Sequence, residues 1–118
     1  MRPLKTETMT DPLFQPLTIR HFTFKNRFMS TSHACGLEEG GMPKERYQRY
    51  HEEKARGGIG LTMFGGSSNV APDSPSVFRQ INIGNDGIIP YLQRFSDRIH
   101  AQGAALMVQI THLGRRGE

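Results

Sequence analysis

Hydrophobic and polar positions alternate at Leu17-Thr18-Ile19 and again at Phe22-Thr23-Phe24, with Arg20-His21 between them. Short period-2 runs joined by a tight connection predict a small β-hairpin. The segment in front, Asp11-Pro12-Leu13-Phe14-Gln15-Pro16, carries two prolines that fix φ and remove amide donors, so helix is disfavoured there. The residues up to Thr10 are expected to be loose.

Phe28-Met29-Ser30-Thr31 reads as a first short strand that opens into the polar loop Ser32-His33-Ala34-Cys35-Gly36. Pro43 stands where a first helical turn tolerates it, and Glu45 to Arg56 is rich in helix formers, with Tyr47, Tyr50 and Lys54 on one side. Gly57-Gly58 is the expected stop. Ile59 to Phe64 is an apolar run between glycine pairs, as in a buried parallel strand, and is expected to end at Gly65-Gly66. A long loop from Ser67 to Asn85 follows, of a length that usually serves function. Asn85 or Asp86 can cap a second helix in which Ile88, Leu92, Phe95 and Ile99 recur at helical spacing, with Pro90 in its first turn and Gly103 beyond its end. Ala104 to Ile110 completes the series as a third strand.

The order hairpin, β, α, β, α, β implies α/β structure with parallel strands joined by helical crossovers. Three such strands leave both sheet edges open, and a closed (β/α)8 barrel needs about 250 residues. The 118 residues therefore read as the beginning of something larger. Taken as a complete protein, the same order would make a small doubly wound sheet.

Composition narrows the function. The uncharged stretch Gly57 to Pro72 is interrupted by Gly, Ser and Asn, so no membrane span is expected. The start of the chain has no apolar core of a secretory signal, and a cytoplasmic location is expected. The single cysteine, Cys35, excludes an internal disulfide and a multi-thiolate metal site. The formal charge of +4 is dispersed among acids such as Glu45, Glu52, Glu53 and Asp97, which argues against a nucleic-acid face. His21, His33, His51, His100 and His112 show no paired ligand spacing, and Gly58-Ile59-Gly60 enters a strand where a dinucleotide fingerprint would leave one.

In parallel α/β proteins ligands bind at the carboxyl ends of the strands. Three segments are expected there: Ser32-His33-Ala34-Cys35, Gly65-Gly66-Ser67-Ser68, and Gln109 with Thr111-His112. Small residues let a flat ring lie close to the backbone, while the Gln109 amide offers a donor and an acceptor. A heteroaromatic ligand suits that set. Each element also has a plainer reading. Gly65-Gly66 can be an ordinary loop, Gln109 a core glutamine bonded to backbone, and His112 a tie to a neighbouring loop. His33 and Cys35 are not placed by their spacing for proton transfer.

Leu13-Phe14 with Pro16-Leu17, Phe24-Lys25-Asn26-Arg27-Phe28, Gly36-Leu37-Glu38-Glu39, Tyr50 to Gly58, His100-Ala101-Gln102-Gly103 and Gln109 to Arg115 together resemble the old yellow enzyme family of NADH:flavin oxidoreductases. The resemblance implies that residues 1–118 are the N-terminal part of an α/β (β/α)8 TIM barrel, an incomplete FMN-binding domain made of the hairpin and the first three parallel strands, with Ser32, His33, Ala34, Gly66 and Gln109 as flavin contacts. It implies hydride transfer between flavin and a small-molecule substrate, an N-methylated amine or amino acid or an enone or dienoyl compound, with NAD(P)H or another electron carrier as partner. The dienoyl-CoA reductase and demethylase branches are the nearest, and both often add a 4Fe-4S cluster and an FAD or NAD(P) domain. Some amine-oxidising relatives also tether FMN through a cysteine directly after the histidine, where this chain has Ala34. Homo-oligomeric assembly is left open. The competing reading is a truncated, non-catalytic fragment.

Overall fold

A computed structural model describes residues 10–74 and 80–116; the expectation for the residues before Thr10 lies outside them. The hairpin forms as β1 (Leu17–Ile19) and β2 (Phe22–Phe24), antiparallel, with Leu17 opposite Phe24. Ahead of it Pro12–Phe14 makes one 3-10 turn capped by the Asp11 carboxylate, a short helix that proline at its first position permits.

The main sheet is parallel and keeps chain order: β3 (Met29–Ser30), β4 (Leu61–Asn69) and β5 (Ala105–Thr111). Helix α1 (Glu45–Arg56) joins β3 to β4, and α2 (Ile89–Ala101) joins β4 to β5. Gly57 and Gly58 end α1, the second with φ +108°. Asn85 caps a 3-10 turn over Asp86–Ile88 that leads into α2, its side chain accepting from the Gly87 nitrogen at 2.7 Å.

Both helices lie on one face. Tyr47 and Ala55 of α1, Phe64 of β4, Phe95 and Ile99 of α2 and Ala104 share one core, with Leu106 and Val108 packed against it. Phe64 and Phe95 sit with centroids 4.8 Å apart, and Arg98 of α2 donates from Nη2 to both carboxylate oxygens of Glu45 at 2.7 Å. Among the described residues one helix layer covers strands in chain order, whereas a complete doubly wound sheet carries helices on both faces and a reversal of strand order. On the other face Met63 pairs in register with Met107, and Met29 and Met107 are half exposed.

At the amino ends of the strands, the Phe24-to-Phe28 motif ties the hairpin to the sheet. Asn26 Nδ2 donates to the Gly58 carbonyl at 2.7 Å, and Lys25 Nζ to that of Gln102 at 3.1 Å. These contacts fix where β3 starts, and so where its far end delivers the loop that follows.

Strand β4 does not end at Gly65-Gly66. Phe64 pairs with Val108 and the next pair is Ser68 with Ile110, so β4 bulges over Gly65, Gly66 and Ser67 and then resumes to Asn69. Gly65, Gly66 and Ser67 all have positive φ, at 122°, 54° and 78°. A glycine pair supplies two of these conformations without cost to a side chain, which turns an expected strand end into a displaced stretch of the same strand.

Candidate functional site

Gln109 of β5 stands opposite that bulge. Its Oε1 accepts from Ser67 N at 3.0 Å and from Ser32 Oγ at 2.8 Å. One side-chain oxygen therefore gathers the ends of three strands. Gln109 is exposed and its side chain bonds to two loops, so the plainer reading of a core glutamine does not hold. It sits on the face that carries no helix among the described residues. With Oε1 doubly occupied as acceptor, both hydrogens on Nε2 are available, and no described residue pairs with them.

Gly66 lies against the loop after β3: a Cβ built on it would overlap the His33 carbonyl carbon and the Ala34 nitrogen. Glycine at 66 is thus required by contact within the chain itself. The structure brings Ser32, Ala34, Gly66 and Gln109 together in this way, and Ser67, which sequence reading placed in the segment without a role, is the residue that closes the cluster.

His33 is exposed, and its Nε2 is 2.7 Å from the Tyr50 hydroxyl, with the rings edge-to-face at 5.6 Å. Cys35 packs partly buried against the core, so it and His33 do not form a pair. Tyr47 accepts the Gly65 N–H at 3.2 Å, and burial keeps its hydroxyl protonated far above the ordinary range. Behind the sheet, His51 Nδ1 is 2.7 Å from Thr62 Oγ1, which lies 3.2 Å from Ser30 Oγ. Burial first, then the charges of Lys54 and His33, push the His51 pKa down to about 3, so this imidazole is neutral.

His112 takes the plainer of its two readings. Its Nδ1 accepts from Gly114 N at 3.0 Å, which leaves the proton on Nε2 to be donated to Asp73 Oδ1 at 3.1 Å. Leu113 N donates to Ser74 Oγ at 2.8 Å beside it. The end of β5 is thus latched to the loop after β4; residues 75–79 of that loop lie outside the described residues.

Parallel strands in chain order, one helix layer among the described residues, and small and amide-bearing residues gathered at the carboxyl edge define an α/β protein. The chain belongs to the NADH:flavin oxidoreductase / NADH oxidase family, whose profile matches residues 12–118. It is 64% identical over 113 residues to a multifunctional alkene reductase/demethylase of Caballeronia cordobensis, covering 96% of this chain and 17% of that protein. It is 47% identical over 106 residues to a probable N-methylproline demethylase of Rhizobium meliloti (strain 1021), covering 90% of this chain and 16% of the other. The structure of the old yellow enzyme from Trypanosoma cruzi matches with a TM-score of 0.74 at 25% identity, over 90% of this chain and 28% of that one. The chain spans about one sixth of the length of these curated relatives. No helix among the described residues is long and apolar enough to cross a membrane.

Proposed function

We propose that the chain is the opening part of an FMN-binding (β/α)8 barrel in a flavin-dependent oxidoreductase. The observation that carries this reading is the Gln109 amide, held by Ser32 and Ser67 through its oxygen so that its nitrogen presents two donors at the carboxyl edge of the sheet. Donors of this kind suit the carbonyl-bearing edge of a flavin ring. Ser32, Ala34 and Gly66 beside it are small, as a flat ring lying along the loop requires, and His33 adds a ring nitrogen at the rim. These five residues would hold the cofactor from this side.

When bound, FMN supplies hydride transfer between a substrate and an electron partner such as NAD(P)H. What this chain contributes is orientation and electrostatics. Gln109 would donate toward the electron-rich ring, and the bulge keeps the Ser67 amide bonded to Oε1, which holds the donor in that direction. The groups that bind substrate and the remaining strands belong to sequence other than these 118 residues. A 4Fe-4S cluster takes several cysteine ligands, and Cys35 is the one cysteine among these 118 residues.

For the substrate we favour an N-methylated amine or amino acid, supported by the demethylases among the relatives; alkene reduction is the second reading, supported by the bifunctional relative at 64% identity. The test is expression of the complete reading frame. We expect a yellow protein that releases FMN and is reduced by N-methylproline or dimethylglycine; reduction by NAD(P)H alone with turnover of an enone would favour the second reading. A full-length protein that is colourless and does not take up added FMN would overturn both. The 118-residue chain alone is expected to be inactive, because it leaves the edges of β3 and β5 and the Met29 and Met107 face uncovered.

A further inference from the structure

Helix α1 lies behind the sheet, yet two of its side chains reach the loops at the carboxyl edge. Tyr47 is 2% exposed and its hydroxyl accepts the Gly65 N–H at 3.2 Å. Three residues on, the Tyr50 hydroxyl is 2.7 Å from His33 Nε2. This spacing puts both phenols on one helix face. The loops they hold are the two that touch where Gly66 meets His33 and Ala34.

We propose that Tyr47 and Tyr50 are positioning residues for the flavin site, Tyr47 fixing the β4 bulge and Tyr50 fixing the plane and tautomer of the His33 ring. The inference rests on the FMN reading above and extends it to a helix that does not itself line the site. Gly65 is buried, so without the Tyr47 oxygen its N–H would be left unpaired. The bulge it begins includes Ser67 at φ 78°, a conformation a side-chain-bearing residue keeps only when its surroundings hold it. Two tethers do so: Gln109 grips the Ser67 end, Tyr47 the Gly65 end. At the other loop, Tyr50 Oη and His33 Nε2 are 2.7 Å apart and either can carry the shared proton; the proposed role gives it to the phenol, which leaves the ring proton of His33 on Nδ1. Lys54 Nζ, 4.6 Å from the centroid of the Tyr50 ring, caps this arrangement from the next turn of α1.

The experiment compares Tyr47→Phe and Tyr50→Phe with the parent in the full-length protein, measuring FMN affinity, flavin midpoint potential and melting temperature, and recording the nitrogen spectrum of 15N-histidine-labelled apoprotein. Each change deletes one hydroxyl and leaves the ring packed. Tyr47→Phe is expected to weaken FMN binding about tenfold, the loss that one hydrogen bond accounts for. Tyr50→Phe is expected to melt with the parent but to shift the flavin potential and to lose the Nδ1–H signal that disappears in His33→Gln. If the parent holds no FMN, the cofactor reading fails and this inference with it. If the parent holds FMN and both variants match it in affinity and potential, whatever their melting temperatures, the tyrosines are structural and this inference alone is overturned. Should Tyr47→Phe not fold, Tyr50→Phe decides: an unchanged histidine spectrum refutes the positioning role.

Discussion

The side-chain oxygen of Gln109 lies 3.0 Å from the backbone nitrogen of Ser67. A backbone nitrogen only donates, so the contact settles which end of the amide faces the bulge and which faces outward. Clasp and donor are thereby separated on one side chain, and substitution can remove one without the other.

Gln109→Glu keeps an acceptor for Ser67 and Ser32 and deletes the outward donor. We expect a melting temperature near that of the parent, a lower flavin midpoint potential, and FMN binding weakened by about 10- to 100-fold, since a hydrogen bond to a charged or polarised partner contributes roughly 1.5 to 3 kcal/mol. Gln109→Leu removes both functions and is expected to lose stability as well. Redox titration and thermal melting of the pair check this; a Gln109→Glu protein with the parent's potential and affinity would leave Gln109 with the clasp alone.

Gly66→Ala is expected to destabilise the protein by about 2 to 4 kcal/mol, combining a left-handed backbone with overpacking against His33 and Ala34. Gly40→Ala is the control: its φ of 61° is similar, but open space surrounds it, so only the backbone cost applies. Urea unfolding of both variants isolates the clash. Equal losses would mean that the two loops separate without cost.

His51 makes the fold sensitive to acid. Its pKa is pushed down to about 3 in the folded protein from the ordinary 6.5. The stability tied to the neutral ring is complete above pH 6.5 and declines as pH falls toward 3, because there the unfolded chain binds a proton that the folded chain refuses. The slope is at most about 1.4 kcal/mol per pH unit. His51→Gln should melt with a shallower pH dependence over this window; parallel curves for variant and parent would assign the acid sensitivity to other groups.

The FMN of the full-length protein is expected to be dissociable. The residue directly after His33 is Ala34, and Cys35 is packed against the core. Acid precipitation should leave flavin in the supernatant. Colour retained on the pellet in the parent and lost in Cys35→Ser would show a covalent tether.

Much of this architecture is legible in the sequence, for local reasons. Helix α1 spans Glu45 to Arg56 because Pro43 and Gly57-Gly58 bracket good helix formers, and α2 follows the spacing of Ile88, Leu92, Phe95 and Ile99. The convergence of Ser32, Gly66 and Gln109 follows from parallel topology. The course of β4 past Gly65-Gly66 does not, because a glycine pair reads alike whether a strand stops or bulges; pairing of Ser68 with Ile110, 42 positions later, decides it. Helical spacing puts Tyr47 and Tyr50 on one side of α1 but cannot name their partners, Gly65 and His33, which lie in different loops.

Between the pairs Phe64–Val108 and Ser68–Ile110 one strand takes four steps and its neighbour two, so the surplus is even. An even surplus preserves phase: the pleat resumes with Ser68 on the side where Phe64 left it, and Ser68 is fully buried. Loss of one residue between 64 and 68 would invert the parity of the strand beyond, turning Ser68 and Asn69 inside out. Loss of two would keep the parity and erase the recess opposite Gln109. Length variation at this point is quantised in pairs, and the step that keeps the sheet intact is the one that removes the site.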